Sequence, residues 1–275
     1  MHSGYNDRLG DVIAAKSGTM IIVNADDWGR DAVTTDRSLE CVRRGAVSSV
    51  SAMMFMEDSE RAAALAREHG VDGGLHLNLT TPFTAPECPS RLADQQAKLA
   101  RFLTVSRFTR VLYHPGLSAA FEYVVRAQLE EYERCYGVPP ERVDGHHHMH
   151  LCANVFFQQL LPAGAIVRRN FSFAVGEKSR VNRWYRRWQD RGLARRHRMT
   201  DFFFSLPPLE PRSRLEKFLD LADHFDVELE THPAIPEEYA FLVRGELFSS
   251  TRKAGVAPGY LLRFQGRASV EGSIQ

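Results

Sequence analysis

Long apolar runs, a charge excess and paired cysteines are all missing from this chain of 275 residues. No stretch approaches the roughly 18 apolar residues needed to span a bilayer, which excludes a transmembrane helix. The N-terminus, MHSGYNDRLGDVIAAKSGTM, has its longest apolar run at Val12–Ala15, too short for a signal-peptide core. Lys and Arg total 35 against 34 Asp and Glu, so no global field points to nucleic acid, an anionic membrane or a polyanionic substrate. The four cysteines, Cys41, Cys88, Cys135 and Cys152, lie far apart and form no CxxC pair. Without a disulfide framework or a paired thiol motif, they read as reduced thiols of a cytoplasmic protein.

What is present is ample core material, 44% hydrophobic residues, in a length that routinely folds as one α/β barrel. Residues 1–19 read as an N-terminal extension and 20–275 as a single domain. Short apolar runs alternate with helical stretches. Strands are expected at 20–24, 46–55, 74–79, 142–146, 165–168, 201–205, 227–231 and 260–264. Helices are expected at 34–44, 58–68, 117–136, 154–161, 212–224 and 236–247. Residues 80–116, with Pro82, Pro86, Pro89 and Pro115, form a long excursion containing some helix. Repeated β–α alternation with about seven or eight strands predicts a parallel sheet closed as a distorted (β/α) barrel.

The polar motifs fall at the C-terminal ends of these strands, where barrels build their sites. Asp26-Asp27 follows the first strand directly. One acid can bind a metal while the other takes a proton, although a bare acid pair is also an ordinary helix cap. His76 sits between Leu75 and Leu77; a lone histidine there is more often a packed core residue than a ligand. Asp144-Gly-His-His-His-Met-His150 places four histidines in five positions. In extended geometry His146, His148 and His150 share one face and His147 turns away. Imidazole is the commonest ligand for transition metals. His232 precedes Pro233 after the seventh strand, and a single His-Pro is more often a turn histidine; Glu228 and Glu230 alternate along that strand and could orient it, which the sequence alone does not show. Histidines and acids around one mouth read as a mononuclear metal hydrolase, with an open metal position, a carboxylate base and a histidine acid. Composition leaves amide, ester and phosphoester cleavage open.

The segments Ile21-Ile-Val-Asn-Ala-Asp-Asp-Trp-Gly29, Gly74-Leu-His-Leu-Asn-Leu-Thr80, Val143-Asp-Gly-His-His-His-Met-His150 and Glu230-Thr-His-Pro-Ala234 occur in this order. Together they resemble the YdjC-like carbohydrate deacetylases, a group that includes chitooligosaccharide deacetylases and hopanoid-associated relatives. The resemblance implies a barrel related to the NodB-type polysaccharide deacetylases. It implies one divalent metal, usually magnesium, on Asp27, His76 and His146, with Asp26 as general base and His232 as general acid. The implied reaction releases acetate from an N-acetylglucosamine-containing saccharide. Two imidazole ligands suit zinc, manganese, iron or cobalt better than a small hard ion. Where the family usually has Phe after the acid pair this chain has Trp28, and where it usually has Ser before the first histidine it has Gly145. Trp28, His148 and His150 are named as substrate contacts or as residues orienting a ligand.

Residues 180–198 carry eight arginines with Trp184, Tyr185 and Trp188. Trp184 and Trp188 share a helical face. That face is expected to pack on the barrel with the arginines in water; the competing reading is a flap that stacks on sugar rings and meets an anionic group. The partner expected is a saccharide substrate, with no nucleic acid, no membrane span and a homodimer allowed. Competing readings of the whole are a phosphoesterase or amidohydrolase on the same barrel, and a sugar-binding relative without turnover.

Overall fold

The computed structural model describes residues 21–173 and 177–247. Seven parallel strands form one sheet: β1 (Ile21–Trp28), β2 (Ser49–Ala52), β3 (Gly73–Leu77), β4 (Arg142–Gly145), β5 (Ile166–Val167), β6 (Phe202–Ser205) and β7 (Val227–Thr231). Their spatial order is β5-β4-β3-β2-β1-β7-β6. Eight α-helices lie between and after them: α1 (Ala32–Arg43), α2 (Ser59–His69), α3 (Ser90–Val105), α4 (Ser118–Tyr136), α5 (Ala153–Gln158), α6 (Arg180–Leu193), α7 (Arg212–Leu221) and α8 (Pro236–Val243). The excursion after β3 contains α3 and two short 3-10 turns, Thr109–Val111 and Pro115–Leu117. The expected strand at 260–264 and the extension at 1–19 lie outside the described residues.

The strands form because their apolar side chains are buried on both faces, as crossover helices require of a parallel sheet. All eight residues of β1 are buried, and so are all five of β7. Between them Val23, Ala25, Val50, Leu75, Val143, Val227 and Leu229 supply fully buried core. The sheet curves into a half-barrel with β5 and β6 at its edges. The seam between them is spanned beyond the strands: Ser172 N–H donates to Phe203 C=O (2.9 Å), and Arg198 N–H to Ala165 C=O (3.1 Å).

Helix ends follow their local chemistry. Asp31 caps α1 by accepting from Thr34 N–H (2.7 Å). Gly70 and Gly137 end α2 and α4 in left-handed conformation. All loops that leave the C-terminal strand ends therefore gather on one rim, and every motif singled out from the sequence belongs to that rim.

Candidate active site

The acid pair is shaped by a break in β1. The β1–β2 register shifts between Ala25 and Trp28, and Asp27 has φ +66°. A left-handed aspartate in a strand is uncommon and marks a constrained position. In a regular strand, neighbours point to opposite faces. Here the irregularity brings both acids to one histidine: Asp27 Oδ1 lies 3.4 Å and Asp26 Oδ2 3.9 Å from His76 Nε2.

His76 is buried, and its Nδ1 lies 2.7 Å from Asp144 Oδ1. With a proton on Nδ1 pointing at Asp144, Nε2 is the ring nitrogen turned toward Asp27, and an ion bound there would take the place of its second proton. His146 brings its Nδ1 to 2.9 Å from the same Asp27 Oδ1. That oxygen is buried with these two ring nitrogens as its neighbours, while Oδ2 accepts from Arg30 (2.6 Å). Asp27 Oδ1, His76 Nε2 and His146 Nδ1 lie within 4.8 Å of one another. A buried carboxylate oxygen facing two imidazole nitrogens is a donor set that suits a divalent ion, so these residues fit a metal.

The electrostatics agree. Burial alone would push His76 toward neutrality, but Asp26, Asp144 and Asp27 outweigh it and raise its pKa to about 10. The site thus favours a positive charge. Asp27 feels an upward push from burial that His146 and His76 reverse, leaving it ionised.

Asp26 has a different setting. Both its oxygens accept from Arg168 at 2.7 Å, and Asn24 Nδ2 donates to Oδ1 at 2.7 Å. Burial opposes ionisation there too, and Arg168 overcomes it, so the Asp26 carboxyl is held below the usual range. Arg168 is itself buried and reaches Glu228 (2.7 Å), Asp144 (3.2 Å) and Glu230 (3.5 Å). Sequence reasoning missed it. One arginine at a strand end carries no local pattern; only the folded sheet, with β1 and β7 paired and the end of β5 brought across to them, shows that Asp26, Glu228 and Glu230 surround it.

The histidine run is not extended. His147 and His148 have φ +54° and +58°, inside a broken 3-10 segment at His146–Leu151. Strand alternation therefore fails for 146–150, a correction caused by two successive left-handed residues. His147 Nδ1 lies 3.0 Å from Thr80 Oγ1. His148 is half-buried and packs its ring edge-on against Phe171 and Phe203, with Nε2 3.6 Å from Glu230 Oε2. His150 is fully buried, and its Nε2 donates to Arg168 C=O (3.0 Å). Gly145 is tight: a Cβ there would come within 2.9 Å of the His150 backbone nitrogen. Trp28 is 0% exposed and belongs to the core, so its ring offers no face to a substrate.

His232 follows Thr231, whose register partner is Ala25, and so stands one strand from Asp26. Its turn is held by Glu238, which accepts from His232 N–H (2.9 Å) and Thr231 O–H (2.8 Å). Glu228 and Glu230, candidates to orient His232, serve Arg168 instead, because residues two apart on β7 share the interior face with it.

The basic helix also differs from expectation. Trp184 is 67% and Trp188 39% exposed. The inward face of α6 is polar: Gln189 donates to Leu151 C=O (2.6 Å), and Asp190 accepts from Asn170 N–H (3.1 Å) and Arg169 (2.9 Å). Buried backbone groups at 151 and 170 need partners, and meeting that need sets the helix rotation and turns both tryptophans outward.

Burial drives the His150 pKa down to about 4. Unfolding releases it to the ordinary value near 6.5. Between those values the unfolded chain binds the proton and the folded one does not, so folding stability falls as pH drops from about 6.5 to 4. For a fully buried group this amounts to up to about 3 kcal/mol. The His150→Gln variant keeps a donor for Arg168 C=O and should show a flatter pH profile over that window in urea denaturation. An unchanged slope would contradict it.

A family model described as YdjC-like protein matches residues 20–254. Chitooligosaccharide deacetylases from Yersinia pestis (strain Pestoides F) and Yersinia pseudotuberculosis serotype O:1b (strain IP 31758) are each 28% identical over 228 residues, 80% of this chain and 83% of theirs. The crystal structure of a candidate cellobiose-phosphate cleavage protein from Enterococcus faecalis V583 superposes with TM-score 0.63 at 18% identity, covering 90% of this chain and 99% of that one. At that identity the likeness speaks for the fold.

Proposed function

The chain belongs to the YdjC-like family, and from that premise we propose that it is a metal-dependent carbohydrate deacetylase acting on an N-acetylglucosamine-containing saccharide. The observation that carries this reading is the convergence of Asp27 Oδ1, His76 Nε2 and His146 Nδ1 beside an ionised, arginine-held Asp26.

Asp27, His76 and His146 would hold one divalent ion, with zinc, manganese and magnesium all to be tested. When bound, the ion supplies Lewis acidity to the amide carbonyl and the attacking water. The chain's own residues do the rest. Asp144 fixes the His76 tautomer that leaves Nε2 free. Arg30 takes the other oxygen of Asp27 and so fixes which one faces the histidines. Asp26 accepts the proton of the attacking water as the new C–O bond forms. Arg168 keeps that carboxylate charged and aimed. His232 protonates the amine nitrogen as the C–N bond breaks, giving acetate and a free amino sugar.

The test is acetate release from N-acetylglucosamine and its β-1,4 oligomers by chelator-treated protein refilled with single ions. Release should return with at least one ion. Asp27→Ala removes a direct ligand, so bound metal, read by elemental analysis, should fall by more than the ~10- to 100-fold typical of losing an outer-shell partner, and activity should be lost with it. Phosphate release from sugar phosphates without any acetate release would replace this reading with a phosphoesterase.

A further inference from the structure

The rim around the mouth carries an unusual surface on its β3–β5 side. The exposed positions of α6 are Arg180, Val181, Trp184, Arg187, Trp188 and Arg191. Two tryptophans and a valine thus face water among guanidinium groups, and no acid shares the face, because Asp190 is buried on the other side. The surface continues past the helix. Trp188 lies 6.1 Å from Phe157, which is 55% exposed, and Phe157 lies 6.3 Å from Tyr113. Phe108, Val111 and Leu112 next to Tyr113 are exposed as well. A continuous exposed apolar patch on a water-soluble domain marks an interaction site.

The charge on this patch is as unusual as its apolarity. Its exposed helical positions carry Arg180, Arg187 and Arg191 with no acid among them, within a segment, 180–198, of eight arginines and one aspartate in a chain whose total is +1. Beside Trp188 a cavity of about 560 Å³ opens between α5 and α6. Phe156, Phe157 and Trp188 form one part of its wall, and Arg191, Arg195 and Arg196 another. With aromatic and aliphatic side chains on one part and guanidinium groups on another, such a cavity matches an amphiphile with an acidic headgroup. A basic helix with tryptophan interleaved among arginine is built to lie in the plane of an anionic bilayer surface.

We infer that this face docks the protein onto anionic lipid bilayers. The segments involved leave the C-terminal ends of β3, β4 and β5, the end that carries the metal-site residues. Gln189 is fastened to Leu151 and Asp190 to Asn170, one residue beyond His150 and two beyond Arg168. The docked face therefore lies beside the active-site mouth. No described helix is long and apolar enough to cross a membrane, so the contact is peripheral. The inference stands on the surface alone and holds whatever the site hydrolyses.

The test uses the full chain with vesicles of phosphatidylcholine, with and without phosphatidylglycerol. The chain has three tryptophans, and buried Trp28 stays silent, so Trp184 and Trp188 report contact directly. Sedimentation with the anionic vesicles, a blue shift of tryptophan emission and weakening by salt are expected, with little binding to phosphatidylcholine alone. The variant Arg187→Glu/Arg191→Glu should bind on the order of twentyfold more weakly or worse, from about fivefold for each charge. Trp184→Ser, which removes the most exposed ring, should also weaken binding and should fold normally by circular dichroism. Failure to bind anionic vesicles, or binding that both variants leave intact, would overturn the inference. So would a monomer–dimer equilibrium that these variants shift while vesicles remain unbound, since the patch would then be a contact between two copies.

Discussion

Asp26→Asn is expected to lower turnover by about 10²- to 10⁴-fold, the range for loss of a positioned general base. The substitution is nearly isosteric and leaves Asp27, His76 and His146 in place. Metal content should therefore stay at the wild-type level while acetate release collapses. That split separates a lost proton acceptor from a lost ligand. Asparagine also puts an amide donor opposite Arg168, which now donates to both carboxylate oxygens at 2.7 Å. Some stability should be lost as well, so denaturation midpoints belong beside the kinetics. A variant that kept a tenth of the wild-type rate with full metal would remove Asp26 from the role of base.

The second large effect is on folding. Replacing Arg168 by Met removes a fully buried guanidinium from among Asp26, Asp144, Glu228 and Glu230. Breaking a buried charge cluster from one side leaves the other charges uncompensated, at about 3–5 kcal/mol. The pH dependence has a definite sign. With Arg168 present, Asp26 and Asp144 are held below the ordinary carboxylate range despite burial. Without it, burial pushes them up, and the folded variant takes protons that the wild type refuses. The deficit of Arg168→Met should therefore shrink as pH falls from 8 toward 5, in urea titrations at the two pH values. Arg168→Lys keeps one charge but loses the paired bonds to Asp26, and should fall between the two. A deficit under about 1 kcal/mol, or one that grows on acidification, would mean the acids do not depend on this arginine.

Much of this architecture is legible in the residues. The run Val227–Thr231 reads as a strand with the bounds it has, because Val227, Leu229 and Thr231 alternate with Glu228 and Glu230 at the two-residue period of a strand. The motifs at strand ends gather on one rim because parallel strands joined by helices all point the same way. Three things were not legible, each for a physical reason. The rotation of α6 depends on unsatisfied carbonyl and amide groups at residues 151 and 170, far away in sequence. The fold of the histidine run depends on two left-handed residues that no side-chain pattern announces. The role of Arg168 depends on which strands become neighbours. Local patterns report periodicity, whereas these features report who is adjacent.

That adjacency has a consequence for synthesis. The first strand is paired along five residues with the last described one, Ile21 with Val227 through Ala25 with Thr231. During translation β1 must wait for a partner about two hundred residues downstream. Until β7 emerges, one edge of β1 has no ladder and Arg168 lacks Glu228 and Glu230. Contacts of such sequence separation are slow to form, and open strand edges invite intermolecular pairing meanwhile. The nascent chain thus carries Asp26, Asp27, His76 and His146 long before β7 lets it close around them, and β1 stays open to aggregation and to chaperones until that strand arrives.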